Sequence, residues 1–400
     1  MSLQYHESKE KIVFVGAQRT PFGTFGGALS SISATDLGVS AGKAALEQSH
    51  VPLEQIDHVI FGNVIPSASD AAYLARHIAL KLGLPISTPA VTLNRLCGSG
   101  FEVIADGARR LLLNEADVVL VGGTENMSQI PFTLRKGRFG YRMGHGEIED
   151  TLMTGLFDSY AQLPMALTAE KLAEKYQISR EEVDRFALRS HQLASSAIKK
   201  QIFDAEITPV TISSRTGPRT ILEDEHVRKD ASLDSLAKLK PVFKKNGVVT
   251  AGNASGICDG AAALVMTTEK KARSSGWNIL AYWKGSAVVG CDPTEMGIGP
   301  VPAIHRLMTA TNLKPKDLQF VEINEAFAAQ VLACQKELAF PEDQFNVDGG
   351  AIALGHPLGA SGARLAVHLI HRLQRRGGGT GLGAACIGGG QGIAALLKVE

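Results

Sequence analysis

One order of elements occurs twice along this chain, and it constrains the fold more than composition does. The order is strand, helix, strand, helix, strand, glycine-rich turn, helix, strand. The first pass reads as strand 12–17, helix 36–48 with Thr35 as N-cap, strand 58–64, helix 71–82 stopped by Gly83, and strand 90–93. A turn around Cys97, an apolar-faced helix and the apolar strand 117–123 complete it. The second pass reads as strand 279–289, helix 301–312 with Pro302 in its first turn, strand 318–323, helix 326–338 and a short strand 345–347. Then come the glycine-rich turn 349–362, a helix with Ala366, Leu369, Ile370 and Leu373 on one face, and strands 381–387 and 392–399. Such alternation predicts an α/β fold of βαβ units with a largely parallel sheet covered on both faces. If the passes are a duplication, Cys97 and His356 occupy corresponding positions, and a pseudo-two-fold axis brings their turns into one pocket.

Residues 124–250 break the rhythm and read as an insertion able to cover a site. Within it, helices are expected over 168–176 and 179–200, the second opened by Ser179 and Glu182 at capping-box spacing. The stretch 135–142 is basic with aromatics, a solvated loop or a surface for a phosphate or a neighbouring subunit; 215–234 reads as a polar surface excursion. A length of 400 residues allows two or three domains or one large two-part fold. The net charge of +1 gives no global basic field, so nucleic acid is not an expected partner. The five cysteines are scattered with no Cys-x-x-Cys pair, which argues against a zinc knuckle or disulfide framework and for a reducing compartment. Residues 1–11 have neither the apolar stretch of a signal peptide nor the Arg-rich look of a transit peptide, and no run approaches a membrane span.

The chemistry concentrates in the turns. Asn94-Arg95-Leu96-Cys97-Gly98-Ser99-Gly100 joins a strand to a helix, and a helix N-terminus favours thiolate over thiol. Cys97 is therefore a candidate nucleophile, with a buried inert cysteine as the alternative. His356, and Cys386 in Cys386-Ile387-Gly388-Gly389-Gly390, sit in similar turns, and structural roles compete for each. Asn324 and Glu325 lie at a strand-to-helix junction, where Asn324 can cap and Glu325 can act as a base or complement the helix dipole.

These stretches, together with Arg19-Thr20-Pro21-Phe22-Gly23, Gly122 to Ser128 and Ala251 to Ser255, resemble the thiolase family over essentially the whole chain. The resemblance implies a five-layer αβαβα fold of two similar halves, residues 1–272 with an inserted loop domain at about 124–250, and residues 273–400. It implies cleavage of a 3-oxoacyl-CoA by CoA, with Cys97 as nucleophile, His356 taking its proton and Cys386 as second acid/base. One oxyanion hole is implied from His356 and a water held by Asn324, another from the backbone N–H groups of Cys97 and Gly388. Arg228 and Ser255 match CoA-binding positions, and Met165 and Phe327 line the pantetheine tunnel by resemblance. The resemblance also implies CoA as a substrate and no metal or redox cofactor.

Short-chain biosynthetic members carry a His directly before this methionine, whereas here Pro164 precedes Met165. The sequence is more similar to the degradative, mitochondrial-type 3-ketoacyl-CoA thiolases. Acetoacetyl-CoA condensation is the alternative within enzymes; a non-catalytic acyl-CoA-binding protein and a cysteine hydrolase are the alternatives outside it. A homodimer or homotetramer is expected, in the cytoplasm or, alternatively, the mitochondrial matrix.

Overall fold

A computed structural model describes residues 10–214 and 217–400. The opening residues 1–9, and residues 215–216 of the expected excursion, lie outside the described residues. The first pass forms β1 (Ile12–Arg19), α1 (Ala34–Ser49), β2 (His58–Gly62), α2 (Leu74–Lys81), β3 (Ala90–Leu93), α3 (Ser99–Leu112) and β4 (Val118–Asn126). In the insertion, α4 (Met165–Lys175) and α5 (Arg180–Lys199) follow, and β5 (Cys258–Thr268) returns to the sheet. The second pass forms β6 (Ala281–Gly290), α6 (Pro300–Thr311), β7 (Phe320–Ile323), α7 (Ala328–Leu338), α8 (Leu358–Arg376), β8 (Gly379–Ile387) and β9 (Gln391–Val399).

Local chemistry sets the boundaries. Ser33, not Thr35, caps α1: its hydroxyl accepts from the Asp36 N–H, while Thr35 is buried inside the helix. The capping box at Ser179 and Glu182 is present. Gly377, at φ 93°, ends α8 in the left-handed conformation. Residues 345–347 form no strand, only an isolated parallel bridge from Phe345 to Val321 and another from Val347 to Gly349.

The sheet runs β7-β8-β9-β6-β1-β5-β4-β2-β3, with Gly23–Thr24 pairing to β5 as a tenth strand. The expected largely parallel sheet is corrected. Only β2 with β3, β2 with β4, and β7 with β8 pair in parallel; the remaining pairs are antiparallel. The reason is connectivity. β8 and β9 are joined by three glycines, and so short a link permits only an antiparallel pair. β5 comes back alongside β4 after the insertion and runs in the opposite direction.

The order β1-β5-β4-β2-β3 in the first half matches β6-β9-β8-β7 and the Phe345 bridge in the second. The turns preceding α3 and α8 are therefore topological equivalents. The two helices cross at van der Waals limits: a Cβ on Gly100 would stand 2.3 Å from the Ala363 N, and one on Gly362 2.4 Å from the Phe101 N. Only glycine permits that approach. Three apolar clusters define the layers. One packs α1 and α2 on the first half of the sheet, one surrounds α3 and α8 in the middle, and one packs α4, α5, α6 and α7 on the second half. The insertion thus supplies part of an outer layer.

The stretch expected as a surface excursion is largely exposed over its described residues, though not throughout. It opens with Gly217–Ile221, paired in a hairpin with the preceding Val210–Ser214, and then reaches Asp224, which is buried. Asp224 accepts both terminal nitrogens of the buried Arg19, at 2.7 and 2.8 Å. Burying Arg19 requires a buried counter-charge, and this segment supplies it.

Candidate active site

Cys97 stands between β3 and α3, one residue after Leu96, whose φ of 47° is left-handed. Short bonds fix the turn: Asn94 Oδ1 accepts the Leu96 N–H at 2.8 Å, and Ser99 Oγ accepts the Arg95 N–H at 2.8 Å. The half-buried thiol receives the Gly388 N–H from across the molecule. Burial pushes its pKa up to about 11, with the Glu125 carboxylate adding to the rise and backbone N–H donors opposing it. The helix terminus therefore does not make a resting thiolate here, because desolvation of the charge outweighs the N–H groups.

His356 occupies the equivalent turn, before α8, and is buried. Its backbone N–H bonds Gly256 O at 2.9 Å. Its Nε2 lies 3.3 Å from Asn324 Nδ2, and its Nδ1 lies 2.5 Å from Ser361 Oγ. Burial, helped by the nearby Arg364 guanidinium, lowers its pKa to about 3, so the imidazole is neutral. Asn324 follows β7, and its backbone N–H bonds Ala384 O on β8 at 2.9 Å. Its Oδ1 is buried with no protein partner among the described residues, which fits it to accept from a small bound donor.

Cys386 ends β8 and is buried among Met296 and Ala326, with Met165 and Phe327 packed against it. Burial first, and the Cys97 sulfur next, hold its thiol well above the ordinary range. A Cβ on Gly388 would stand 3.1 Å from Leu96 Cδ1 and 3.4 Å from Met165 Sδ, so this turn closes over the Cys97 loop. Cys97, His356, Asn324, Cys386, Gly388, Met165 and Phe327 thus converge. Ser255 is adjacent, its N–H bonding Ala326 O at 3.0 Å beside the Ala254–Phe327 bridge.

Arg228 is exposed; its N–H bonds His191 Nδ1 at 3.2 Å, beside a cavity of about 270 Å³ also lined by Lys199 and Lys229. Glu325 is corrected: it is neither a base in the site nor a first-turn residue of α7. It accepts from Ser190 Oγ at 2.6 Å, Asn346 Nδ2 at 2.9 Å and Ile352 N at 3.2 Å, and so ties the segment before His356 to β7 and α5. The basic residues Arg135, Lys136, Arg138 and Arg142 are exposed beside a separate hairpin, where Arg135 pairs with Glu149.

Two residues of the site lie in the quoted motifs without an expected role. Glu125, buried at the end of β4, accepts from Asn63 Nδ2, Val64 N and Ile65 N in the first half, and from Gly359 N of α8 at 2.8 Å. It joins the loop after β2 to the first turn of α8; burial raises its pKa to about 7. Ser361 is the other, and a signal was present: it lies in the first turn of the helix that His356 precedes.

Among the described residues no group of His, Cys, Asp or Glu is placed to hold a metal ion, and no helix is long and apolar enough to cross a membrane. A half-buried thiol, a neutral imidazole, a second thiol and converging N–H donors make a set chemically suited to acyl transfer through a cysteine thioester. The chain belongs to the thiolase family: the thiolase N-terminal domain matches residues 12–270 and the C-terminal domain residues 277–399.

Among its relatives, the mitochondrial 3-ketoacyl-CoA thiolase of Bos taurus is 51% identical over 97% of this chain and 98% of its own length. An acetyl-CoA acetyltransferase of Chromobacterium violaceum is 48% identical over 98% of this chain and 99% of its own. The crystal structure of human mitochondrial 3-ketoacyl-CoA thiolase in complex with CoA superimposes with a TM-score of 0.95 at 50% identity, covering 98% of each chain.

Proposed function

We propose that this chain is a degradative 3-ketoacyl-CoA thiolase, cleaving a 3-oxoacyl-CoA with CoA to acetyl-CoA and an acyl-CoA two carbons shorter. The Asn324–His356 contact, with the Gly388 N–H on the Cys97 thiol and Cys386 alongside, is the observation that carries this reading. The Cys97 proton passes to His356 Nε2 as sulfur attacks the 3-oxo carbon. The Cys97 and Gly388 N–H groups face the oxyanion formed there. The bond between carbons 2 and 3 then breaks, and its electron pair becomes the enolate of acetyl-CoA. His356, now holding the proton, donates to the enolate oxygen, together with a water on Asn324. The Cys386 thiol protonates carbon 2. CoA next attacks the Cys97 thioester; the CoA proton leaves through Cys386, and the sulfur of Cys97 recovers its own from His356.

Arg228 and Ser255 bind CoA, and Met165 and Phe327 flank pantetheine in this reading. The CoA complex of the human structure supports CoA as the substrate. Apolar residues beside Cys97, including Leu152, Leu156 and Leu358, suit an extended acyl chain. The acetyltransferase relative supports acetoacetyl-CoA as the alternative substrate. We read residues 1–272 and 273–400 as the two halves and expect a homodimer or homotetramer. The mitochondrial relatives favour the matrix over the cytoplasm, and fractionation of the source cells decides.

The test is thiolytic cleavage of acetoacetyl-CoA, 3-oxooctanoyl-CoA and 3-oxohexadecanoyl-CoA, with and without free CoA. CoA-dependent loss of the longer substrates supports the degradative reading. Activity confined to acetoacetyl-CoA moves it to the alternative. No cleavage by a folded, CoA-binding chain overturns it.

A further inference from the structure

The proposed step needs a bare Nε2 on His356 facing the site, and one neighbour decides whether it is bare. Ser361 is buried in the first turn of α8. Its Oγ lies 2.9 Å from Pro357 O and 2.5 Å from His356 Nδ1. A hydroxyl has one proton, and a carbonyl oxygen only accepts. Ser361 Oγ is placed to donate that proton to Pro357 O, the ordinary back-bond to the fourth preceding carbonyl. Pro357 O also receives the Ser361 N–H at 3.0 Å, so the residue is held by main chain and side chain together. With its proton committed, Ser361 Oγ can only accept from His356 Nδ1–H. A neutral imidazole carries one ring proton, so Nε2 is left with its lone pair, and Asn324 Nδ2 faces it at 3.3 Å as a donor. Both contacts of the ring can be satisfied in this one tautomer.

We propose that Ser361 is a positioning residue that fixes His356 in the Nδ1–H tautomer and so makes Nε2 the acceptor of the Cys97 proton. The inference rests on the reading of Cys97 and His356 as a nucleophile and its base. Without the hydroxyl, the ring proton has no partner at Nδ1, and the Nε2–H form, which cannot take a proton from Cys97, gains population. The titratable groups that act on this turn are Arg364 on α8, whose charge reaches His356, and Cys258 on β5, whose sulfur faces the His356 backbone N–H. Glu125 reaches the same turn through Gly359. A substitution at Ser361 leaves all of them in place.

The test uses the full chain labelled with 15N in its histidine rings, with the His356 resonances assigned by their loss in His356→Asn. The parent is expected to show a protonated Nδ1 and a bare Nε2; a bare Nδ1, or an imidazolium, overturns the proposal whatever the variants do. Ser361→Ala is expected to mix the tautomers, and an unchanged parent pattern in that folded variant overturns it. Carbamidomethylation of Cys97 by iodoacetamide at neutral pH, read by mass spectrometry, is expected to slow about tenfold in Ser361→Ala, the worth of one hydrogen bond. Ser361→Thr, which keeps the hydroxyl, is expected to restore it. Loss in the alanine variant without rescue by threonine marks a packing role and overturns the proposal. Neither readout involves thiolysis, so a chain without CoA-dependent turnover fails the function and leaves the tautomer result standing.

Discussion

At the scale of single residues, the site is held in its uncharged form until substrate arrives. Burial raises Cys97 to about 11 and lowers His356 to about 3, so thiol and imidazole face substrate as a neutral pair. Alkylation of Cys97 is expected to keep rising with pH through the alkaline range. A plateau already reached at pH 6 to 7 would show a resting ion pair instead. Asn324 Oδ1, buried without a protein partner, is the natural holder of a donor to the enolate. Asn324→Ala is expected to lower kcat about 100-fold or more with a near-parental melting temperature. A kcat within twofold of the parent would remove Asn324 from the oxyanion hole. Cys97, His356 and Cys386 were legible because reactive side chains in glycine-rich turns stand out. Glu125 was not, since a glutamate ending an apolar strand carries no local signal of what it touches; Ser361 had only its place in the first turn of the helix after His356 to mark it.

At the scale of elements, the crossing of α3 and α8 positions the two turns. Replacing a helical glycine by alanine ordinarily stabilises by roughly 1 kcal/mol. At Gly100 the added Cβ would meet backbone at 2.3 Å, so the sign is reversed. Gly100→Ala is expected to destabilise by about 1–3 kcal/mol in urea denaturation, with activity falling as the turns separate. A stabilised variant would show that the crossing has slack. The helices and strands of both passes were largely readable from periodicity, because each buries one face or both. Strand direction was not. Alternation suggested parallel pairing, but β5, β6 and β9 run against their neighbours, and that depends on which strands meet across the sheet. The edge at 345–347 shrank to isolated bridges, too short a run to form a ladder.

At the scale of the whole molecule, a chain of buried charges ties the insertion to both halves. Arg19 on β1 bonds Glu206 and Asp224 from the insertion, at 2.7 Å each. Glu206 also meets His368 on α8 at 2.9 Å, and Asp348 forms an ion pair with Arg372 at 2.9 Å. Burial pushes Glu206 up, but His368 and Arg19 outweigh it and hold its pKa at about 2. Burial pushes His368 down, but Glu206 and Asp348 outweigh it and raise its pKa to about 10. The two signs differ. The Glu206 contribution is present above the ordinary carboxylate pKa and is lost as pH falls from about 4.5 to about 2. The His368 contribution is full below about 6.5 and is lost as pH rises to about 10. Urea midpoints are expected to fall on both sides, and Glu206→Gln to flatten both limbs. A Glu206→Gln variant with the parental profile would show that the network does not set the pH dependence. This network escaped sequence reading because its partners lie far apart along the chain, with Asp224 inside a stretch whose polarity suggested solvent.

The central claim is that an acyl group resides on Cys97 between the two half-reactions. Intact and peptide mass spectrometry after mixing the chain with acetyl-CoA, before and after a chase with free CoA, tests it most directly. One acetyl group on the peptide containing Cys97, removed by the chase and absent in Cys97→Ser, is the predicted result. Full CoA-dependent cleavage by a Cys97→Ser chain, or acylation at another residue that CoA then discharges, would contradict it.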